Sequence, residues 1–139
     1  MPNYAAYADL LVNYCVSLQP GERLFVQSTT LAEPLVREVY RAALKAGGHC
    51  SFSLMVEDQA QMLLEEGNDD QLSFISPLYQ QAIEEFEAYI NILAPFKLRN
   101  TRPYPERALI RQRAMKNLMK TYFERTGNLS LKRSLCLFP

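Results

Sequence analysis

Residues 23–56, RLFVQSTTLAEPLVREVYRAALKAGGHCSFSLMV, contain two different hydrophobic patterns within one short stretch. The runs at 23–27 and 50–56 are short, apolar and bounded by turn residues, which is typical of buried strands. Between them, apolar residues recur at helical spacing, and Gly47-Gly48 ends this helix where a positive φ is needed. These apolar residues are Leu35, Val36, Val39, Tyr40, Ala43 and Ala46. A strand, a helix and a strand form a βαβ unit, so the two strands must be parallel.

Two starting points for this helix are compatible with the sequence. Thr30 and Glu33 have the spacing of a capping box, but that start puts Pro34 at the fourth helical position, where it removes a hydrogen bond. A start at Glu33, with Pro34 as the first helical residue, avoids this loss but provides a poor cap. The sequence does not choose between the two.

Hydrophobic periodicity predicts the elements on either side of this unit. Pro20-Gly21 stops a first helix whose apolar stripe consists of Tyr4, Ala8, Leu11, Cys15 and Leu18. Further helices are expected at 59–66, 69–75, 77–86 and from 105 or 106 to 125, and further strands at 88–93 and 134–138. The prolines between Pro95 and Pro105 predict a connector without regular structure. We therefore predict an α/β fold in which helices pack on a mostly parallel sheet of about four strands.

Length and composition favour a single domain at residues 1–139 with its own hydrophobic core. Of the 139 residues, 48% are hydrophobic and 22% charged, which excludes disordered and cysteine-framework proteins. The three cysteines, Cys15, Cys50 and Cys136, have apolar neighbours, which predicts buried free thiols in a reducing compartment. No apolar run approaches the roughly 18 residues of a spanning helix, and no export signal is visible. We expect a cytoplasmic protein without a membrane partner.

Charges are segregated along the chain, although fifteen Lys and Arg balance fifteen Asp and Glu. Residues 57–87 contain nine acids and no base, whereas residues 97–133 contain eleven bases and two acids. The bases on one face of the long helix or beside it are Arg107, Arg111, Arg113, Lys116 and Lys120. Nucleic-acid recognition would also need exposed aromatic or amide groups, and Tyr122 and Phe123 are expected on the apolar face. We therefore expect solvated faces of opposite charge and no nucleic-acid partner.

The sequence offers no set of groups for hydrolytic catalysis. His49 is the only histidine, and it enters a strand, where packing is the expected role. HExxH, CxxC and GxSxG motifs are absent, which argues against zinc, cobalt and nucleophilic sites. Many acids are adjacent pairs, and adjacent helical side chains diverge by about 100° instead of converging on one ion. We expect no catalytic residue, no metal ligand and no cofactor in this chain.

The turn after the first strand is where a ligand of this domain is expected. Its hydroxyls lie next to a helix N-terminus at the carboxyl end of a strand, the edge that ligands of open α/β sheets favour. No glycine-rich phosphate-binding motif accompanies them, and capping of the helix by Thr30 is the structural alternative. The candidate ligand-facing residues are Ser28, Thr29, Thr30 and Glu33.

Several segments together resemble one known family. They are YAAYADLLVNYCVSLQPGERLFVQSTTLAEPLVREVYRAALKAGGH, LSFISPLYQQAIEEFEAYINILAP, NTRPYPERALIRQRA and SLCLFP. With these segments the chain resembles the thermophilic metalloprotease family, which comprises metallo-aminopeptidases of the aminopeptidase T and aminopeptidase S type. The most specific stretch is 29–38, TTLAEPLVRE, whereas residues 96–99 form an insertion before Asn100 relative to the usual pattern.

This resemblance implies a two-domain enzyme of which residues 1–139 are the N-terminal domain. Family members remove N-terminal residues from peptides with two divalent metal ions of the zinc or cobalt type, held by carboxylates and histidines of the C-terminal domain. That catalytic domain is absent from this chain, so no metal ligand of the family is carried over to any residue here. The resemblance also implies a homo-oligomer, and peptide substrates only for the complete enzyme.

The leading interpretation is therefore the N-terminal domain of a metal-dependent aminopeptidase, which acts as scaffold, cavity wall or dimer surface and is inactive alone. The alternative is a free-standing α/β module without hydrolytic activity that binds a small ligand or a partner. A third hypothesis is an inert truncated product. A domain separated from its neighbour exposes surface that is normally covered, so we also expect self-association.

Overall fold

The centre of the fold is a sheet of four strands that all run in the same direction. The computed structural model describes residues 2–97 and 102–139. The strands are β1 (Arg23–Thr29), β2 (His49–Met55), β3 (Ala88–Leu93) and β4 (Lys132–Leu137), and their spatial order is β2-β1-β3-β4. All three neighbouring pairs are parallel. The predicted α/β fold with a parallel sheet is confirmed.

Helices cover both faces of this sheet. They are α1 (Tyr4–Asp9, continued by a π-helical segment over Leu10–Cys15), α2 (Glu33–Lys45, preceded by a 3₁₀ turn over Thr30–Ala32), α3 (Gln59–Glu66), α4 (Asp69–Ser73), α5 (Pro77–Glu85) and α6 (Pro105–Gly127). On one face, α1 and α2 pack over Leu24, Val26 and Ile90. On the other face, α5 and α6 pack over Phe25 and Tyr89. Because β1 and β3 are buried on both faces, their sequences are nearly continuous apolar runs.

The first helix differs from its predicted apolar stripe. Ala8 and Leu11 are buried as expected, but Cys15 is exposed, and Val12 and Val16 are buried instead. The Val16 N–H donates to the Leu11 carbonyl, five residues earlier, at 3.0 Å. This π-helical turn is wider than an α-helical turn, so it rotates the side chains that follow it. The prediction assumed 3.6 residues per turn and therefore selected the wrong residue.

The structure decides between the two predicted starts of α2. The 3₁₀ turn comes first, and α2 begins at Glu33 with Pro34 in its first turn and without a side-chain cap. Thr30 does not cap the helix, so the alternative with the weaker cap is the correct one. At the other end, Gly47 has φ +81°, and the N–H groups of Gly47 and Gly48 donate to carbonyls in the last turn. This glycine-dependent end agrees with the sequence pattern.

Three of the bases in the basic segment 97–133 are arginines of α6 that bind the ends of other helices. The guanidinium of Arg107 donates to two carbonyls at the end of α3. Arg111 donates to two carbonyls at the end of α4, at 3.1 and 2.6 Å, and Arg125 to a carbonyl near the end of α5 at 2.8 Å. The last carbonyls of a helix have no partner within it and carry partial negative charge, so a cation there is stabilising. These bases therefore fix the short helices through backbone groups, not through acids.

Several segment ends differ from their predictions. The helix predicted at 69–75 ends at Ser73, and α6 continues to Gly127. Phe123 is exposed, so its predicted place on the apolar face is wrong, whereas Tyr122 packs against the core. The described part of the predicted connector has neither helix nor strand before Pro105, while residues 98–101 lie outside the described residues. None of the described helices is both long and apolar enough to cross a membrane.

Replacing Ile90 by alanine should lower the free energy of unfolding by about 2–5 kcal/mol. Ile90 lies in the central strand β3 with 0% of its side chain exposed, so its truncation leaves a cavity in the core. Urea unfolding followed by circular dichroism measures the loss. Leu78 on α5 is 76% exposed, and Leu78→Ala serves as the control, with an expected change within about 0.5 kcal/mol. Equal losses in the two variants would contradict this core.

Replacing Glu87 by glutamine should lower the stability at pH 7 but not in acid. Glu87 accepts hydrogen bonds at 2.7 Å from the backbone N–H and from the guanidinium of Arg23, which join the starts of β3 and β1. The side-chain hydrogen bond from Arg23 lowers the pKa of Glu87. Its contribution is therefore present above the unfolded-state pKa and is lost as the pH falls through the lower folded-state value. Denaturation of both proteins at several pH values between roughly 3 and 7 measures the difference, and a pH-independent difference would refute the assignment.

Candidate functional site

The predicted ligand loop lies where two parallel strands end side by side. The chain leaves β1 toward β2 on one side, whereas β3 lies on the other side of β1. Connections that diverge in this way leave a crevice at the carboxyl ends of the strands, the common ligand position in open α/β sheets. The pairing of β1 with β3 ends at Gln27 and Asn91, before either strand ends. Other groups must therefore connect the two strands at this edge.

The hydroxyls of Ser28 and Thr29 make this connection. Ser28 Oγ donates to the Ile92 carbonyl at 2.8 Å, and Thr29 Oγ1 donates to the Ala94 carbonyl at 2.5 Å. Ser28 is buried, and its hydrogen bond removes the cost of burying an unpaired hydroxyl. Two of the four candidate ligand-facing side chains thus hold β1 to β3 and close the crevice between them.

Thr30 and Glu33 lie at the surface next to these two residues. Both are exposed, and the Glu33 carboxylate forms an ion pair with Arg37, one turn later in α2, at 3.6 Å. An exposed pair of this kind contributes little to stability and leaves both groups accessible to solvent. The four candidates thus lie at one strand end but in three different elements: Ser28 and Thr29 in β1, Thr30 in the 3₁₀ turn and Glu33 in α2. The first two connect strands, and the other two face solvent.

A small cavity adjoins this loop on the side of β2. Its volume is about 240 Å³, and its lining includes Thr29, Asp58, Gln59 and Lys97. Asp58 has φ +63°, a left-handed conformation that Asp tolerates better than most residues. An acid, a base and an amide at one edge form a polar surface. Sequence reasoning missed Asp58 and Lys97, because they follow different strands and only the sheet brings them to one edge.

The acidic side chains do not converge on a common point. The adjacent pairs at 65–66, 69–70 and 84–85 are exposed. Across residues 2–97 and 102–139, no three His, Cys, Asp or Glu side chains are grouped so that they could hold a metal ion. His49 is exposed at the start of β2, so its predicted packing role is wrong. The donor sets in these two ranges do not fit a divalent metal ion.

The two partly buried thiols are not activated for nucleophilic attack. Burial raises the pKa of Cys50 to about 12, and it also raises the pKa of Cys136. A thiol with a raised pKa is protonated at neutral pH, whereas the thiolate is the reactive form. Cys15 is exposed because of the π-helical turn, so the prediction that all three cysteines are buried is wrong.

The basic face of α6 is open to solvent. Arg113, Lys116 and Lys120 are exposed, as the sequence predicts, and Phe123 lies on the same side of the helix. The ion pairs found among the described residues do not include these three bases. A solvated face of one charge sign promotes solubility and encounters with acidic partners.

Comparisons with known proteins agree with the resemblance in the sequence. The profile of the thermophilic metalloprotease (M29) family matches residues 2–139. Aminopeptidase 2 of Geobacillus stearothermophilus is 32% identical over 94 residues, which are 64% of this chain and 23% of that protein. Wild-type AmpT from Thermus thermophilus superposes with a TM-score of 0.77 at 15% identity, over 99% of this chain and 36% of its own.

Together these matches show the fold and the family of the chain. The structural match shows the same fold, and the chain spans only about a third of the AmpT chain. The sequence match covers less than a quarter of aminopeptidase 2. The family profile, in contrast, extends over nearly every residue of this protein. The chain therefore belongs to the thermophilic metalloprotease (M29) family, a family of metal-dependent aminopeptidases.

Proposed function

We propose that the chain is the N-terminal, non-metal-binding domain of a metal-dependent aminopeptidase. Residues 1–139 then form one α/β domain, and the catalytic domain is a separate part of the complete enzyme. One observation carries this proposal. The chain belongs to a metalloprotease family, yet its described side chains form no metal-binding group. The short coverage of the relatives supports it.

The metal ions belong to the catalytic domain in this proposal. Two divalent ions of the zinc or cobalt type need several carboxylates or imidazoles that meet at one point. The acidic pairs of this domain are exposed and lie on separate short helices, and the single histidine is remote from them in sequence. We therefore assign no step of peptide hydrolysis to any residue of this chain.

An exposed apolar surface on β3 and β4 supports the proposal that a neighbouring domain packs against this one. Leu93, Leu135 and Leu137 are 41, 58 and 68% exposed. Leu93 is the register partner of Leu137, and Leu135 lies two residues earlier on the same side of the sheet. Parallel sheets are ordinarily covered on both faces, and exposed clusters of large apolar side chains mark interaction sites. We propose that the catalytic domain covers these leucines.

The role of the domain is then structural and not catalytic. It supports the catalytic domain, contributes a wall to the cavity that receives the peptide substrate, and takes part in a homo-oligomer. Peptide substrates belong to the complete enzyme in this proposal, because burial raises the pKa of the Cys50 and Cys136 thiols and the described side chains form no metal-binding group.

The loop with Ser28, Thr29, Thr30 and Glu33 has a second proposed role. In the alternative function, a free-standing binding module, a small polar ligand would bind at this strand end, either in the cavity beside Thr29 or at the exposed Thr30 and Glu33. The hydrogen bonds of Ser28 and Thr29 to β3 favour the structural role over this alternative, because both hydroxyls already donate to backbone carbonyls.

The purified 139-residue chain should not hydrolyse a leucyl chromogenic substrate. The expected rate equals the rate of the buffer control, with or without added Zn²⁺ or Co²⁺, because no described group of side chains can hold the ion. A colorimetric assay measures the rate, and elemental analysis after dialysis measures the bound metal. Turnover by this chain, or a tightly bound stoichiometric transition metal, would refute the proposal.

A pair of substitutions tests the ligand loop. We expect Thr29→Ala to lower the melting temperature, because the Thr29 hydroxyl donates to the Ala94 carbonyl, and Thr30→Ala to leave it almost unchanged. Thermal-shift assays with a panel of small anions and amino acids should show no ligand effect on the parent chain. A ligand that stabilises the parent but not the Thr30→Ala variant would instead establish the binding-module alternative.

A further inference from the structure

The outer edge of β2 has no partner strand among the described residues. Along its whole length β2 pairs with β1 on one side, and no described strand pairs with the other side. Its sequence, HCSFSLM, contains no Lys, Arg, Asp, Glu or Pro. Edge strands of soluble proteins usually carry such residues, because unpaired backbone groups otherwise recruit another strand. The edge of β2 is thus open to pairing with a further strand.

The opposite edge of the sheet is different. β4 begins with Lys132 and Arg133, and the ammonium group of Lys132 forms an ion pair with Glu22 at 2.7 Å. The guanidinium of Arg133 lies 5.9 Å from the centre of the Tyr122 ring. Charged residues on an edge strand oppose its pairing with another strand. Of the two edges, β2 is the one suited to strand addition.

Apolar side chains lie next to the open edge of β2. Phe52, at the middle of the strand, is 50% exposed, and its ring lies 6.2 Å from the ring of Tyr40 on α2. A groove of about 630 Å³ runs between α2 and β2, and its lining includes the apolar Cys50 and Leu54 and, on α2, the charged residues Glu33, Arg37 and Arg41. Leu44 of α2 is also exposed. A strand that joins this edge therefore also covers apolar surface.

The five central side chains of β2, at residues 50–54, are arranged symmetrically about Phe52. In an antiparallel pair of two such strands centred there, Phe52 faces Phe52, Cys50 faces Leu54, and Ser51 faces Ser53 of the other strand, whereas the outermost pair joins two unlike residues, His49 and Met55. Directly opposite residues lie on the same face of a sheet, so apolar groups meet apolar groups on the α2 side and hydroxyls meet hydroxyls on the other. A two-fold axis through β4 would instead place Arg133 opposite Leu135 or Leu137, so a charged side chain would face an apolar one.

We propose that β2 pairs antiparallel with β2 of a second copy of this chain, about a two-fold axis at Phe52. The two four-stranded sheets then join into one continuous sheet, and the same surface of each copy is used. The helices α2 of the two copies lie on the same side of this sheet, which brings Tyr40 and Leu44 toward the partner. This inference rests on the homo-oligomer of the proposed function and identifies its surface.

A charge exchange at Phe52 tests the position of the axis. The parent chain should be a dimer by light scattering and sedimentation equilibrium. Phe52→Glu and Phe52→Lys should each weaken the dimer at least about tenfold, because like charges then face each other across the axis. An equimolar mixture of the two variants should restore dimers, because opposite charges meet. Since Phe52 is half-exposed, both variants should retain the circular dichroism spectrum of the parent.

Leu137→Lys on the other edge is the matched control and should leave the dimer unchanged. Leu54→Cys provides an independent test: the introduced thiol of one copy would face Cys50 of the other at a distance that suits a disulfide, so oxidation should give a covalent dimer. A monomeric parent at its highest soluble concentration, or a dimer lost through Leu137→Lys but not through Phe52→Glu, would overturn the proposal. The peptidase assay is independent of association, so the two proposals can fail separately.

Discussion

The strand β1 is the constraint on which the rest of the domain depends. Its backbone is paired with β2 on one side and with β3 on the other, and Leu24, Phe25 and Val26 are buried between the two helical layers. A strand in this position cannot expose polar backbone groups or charged side chains without a large cost. Each face of the sheet therefore needs a helical layer, and the α1–α2 pair and the α5–α6 pair provide these layers.

The same constraint explains which surfaces of the domain stay uncovered. The backbones of the inner strands β1 and β3 are paired with a strand on each side, but β2 and β4 each keep one edge without a described partner strand, and three leucines on β3 and β4 remain uncovered. The polar groups at the carboxyl edge are partly used to connect β1 with β3, and the described acids do not meet. The proposed supporting role therefore rests on these uncovered outer surfaces.

Local patterns predicted the position of the candidate loop but not the hydrogen bonds that its side chains form. The succession of strand, turn and helix correctly placed Ser28 and Thr29 at a carboxyl edge. Their hydroxyls bond to carbonyls 64 and 65 residues away, a pairing that depends on how β3 lies beside β1. Arg107 and Arg111 are a similar case. Their position on a basic helix is evident from the sequence, but the helix ends that they bind are more than 35 residues earlier.

The sequence by itself determined the class of the fold, its parallel strands and the approximate positions of most helices, because these follow from short-range periodicity, turn residues and the βαβ connection. It also identified the family, because that information lies in residue identity. Only the tertiary structure decided which side chains are buried near the π-helical turn, where α2 begins, and which surfaces stay bare. These features depend on hydrogen bonds and packing between distant segments, and local periodicity carries no information about them.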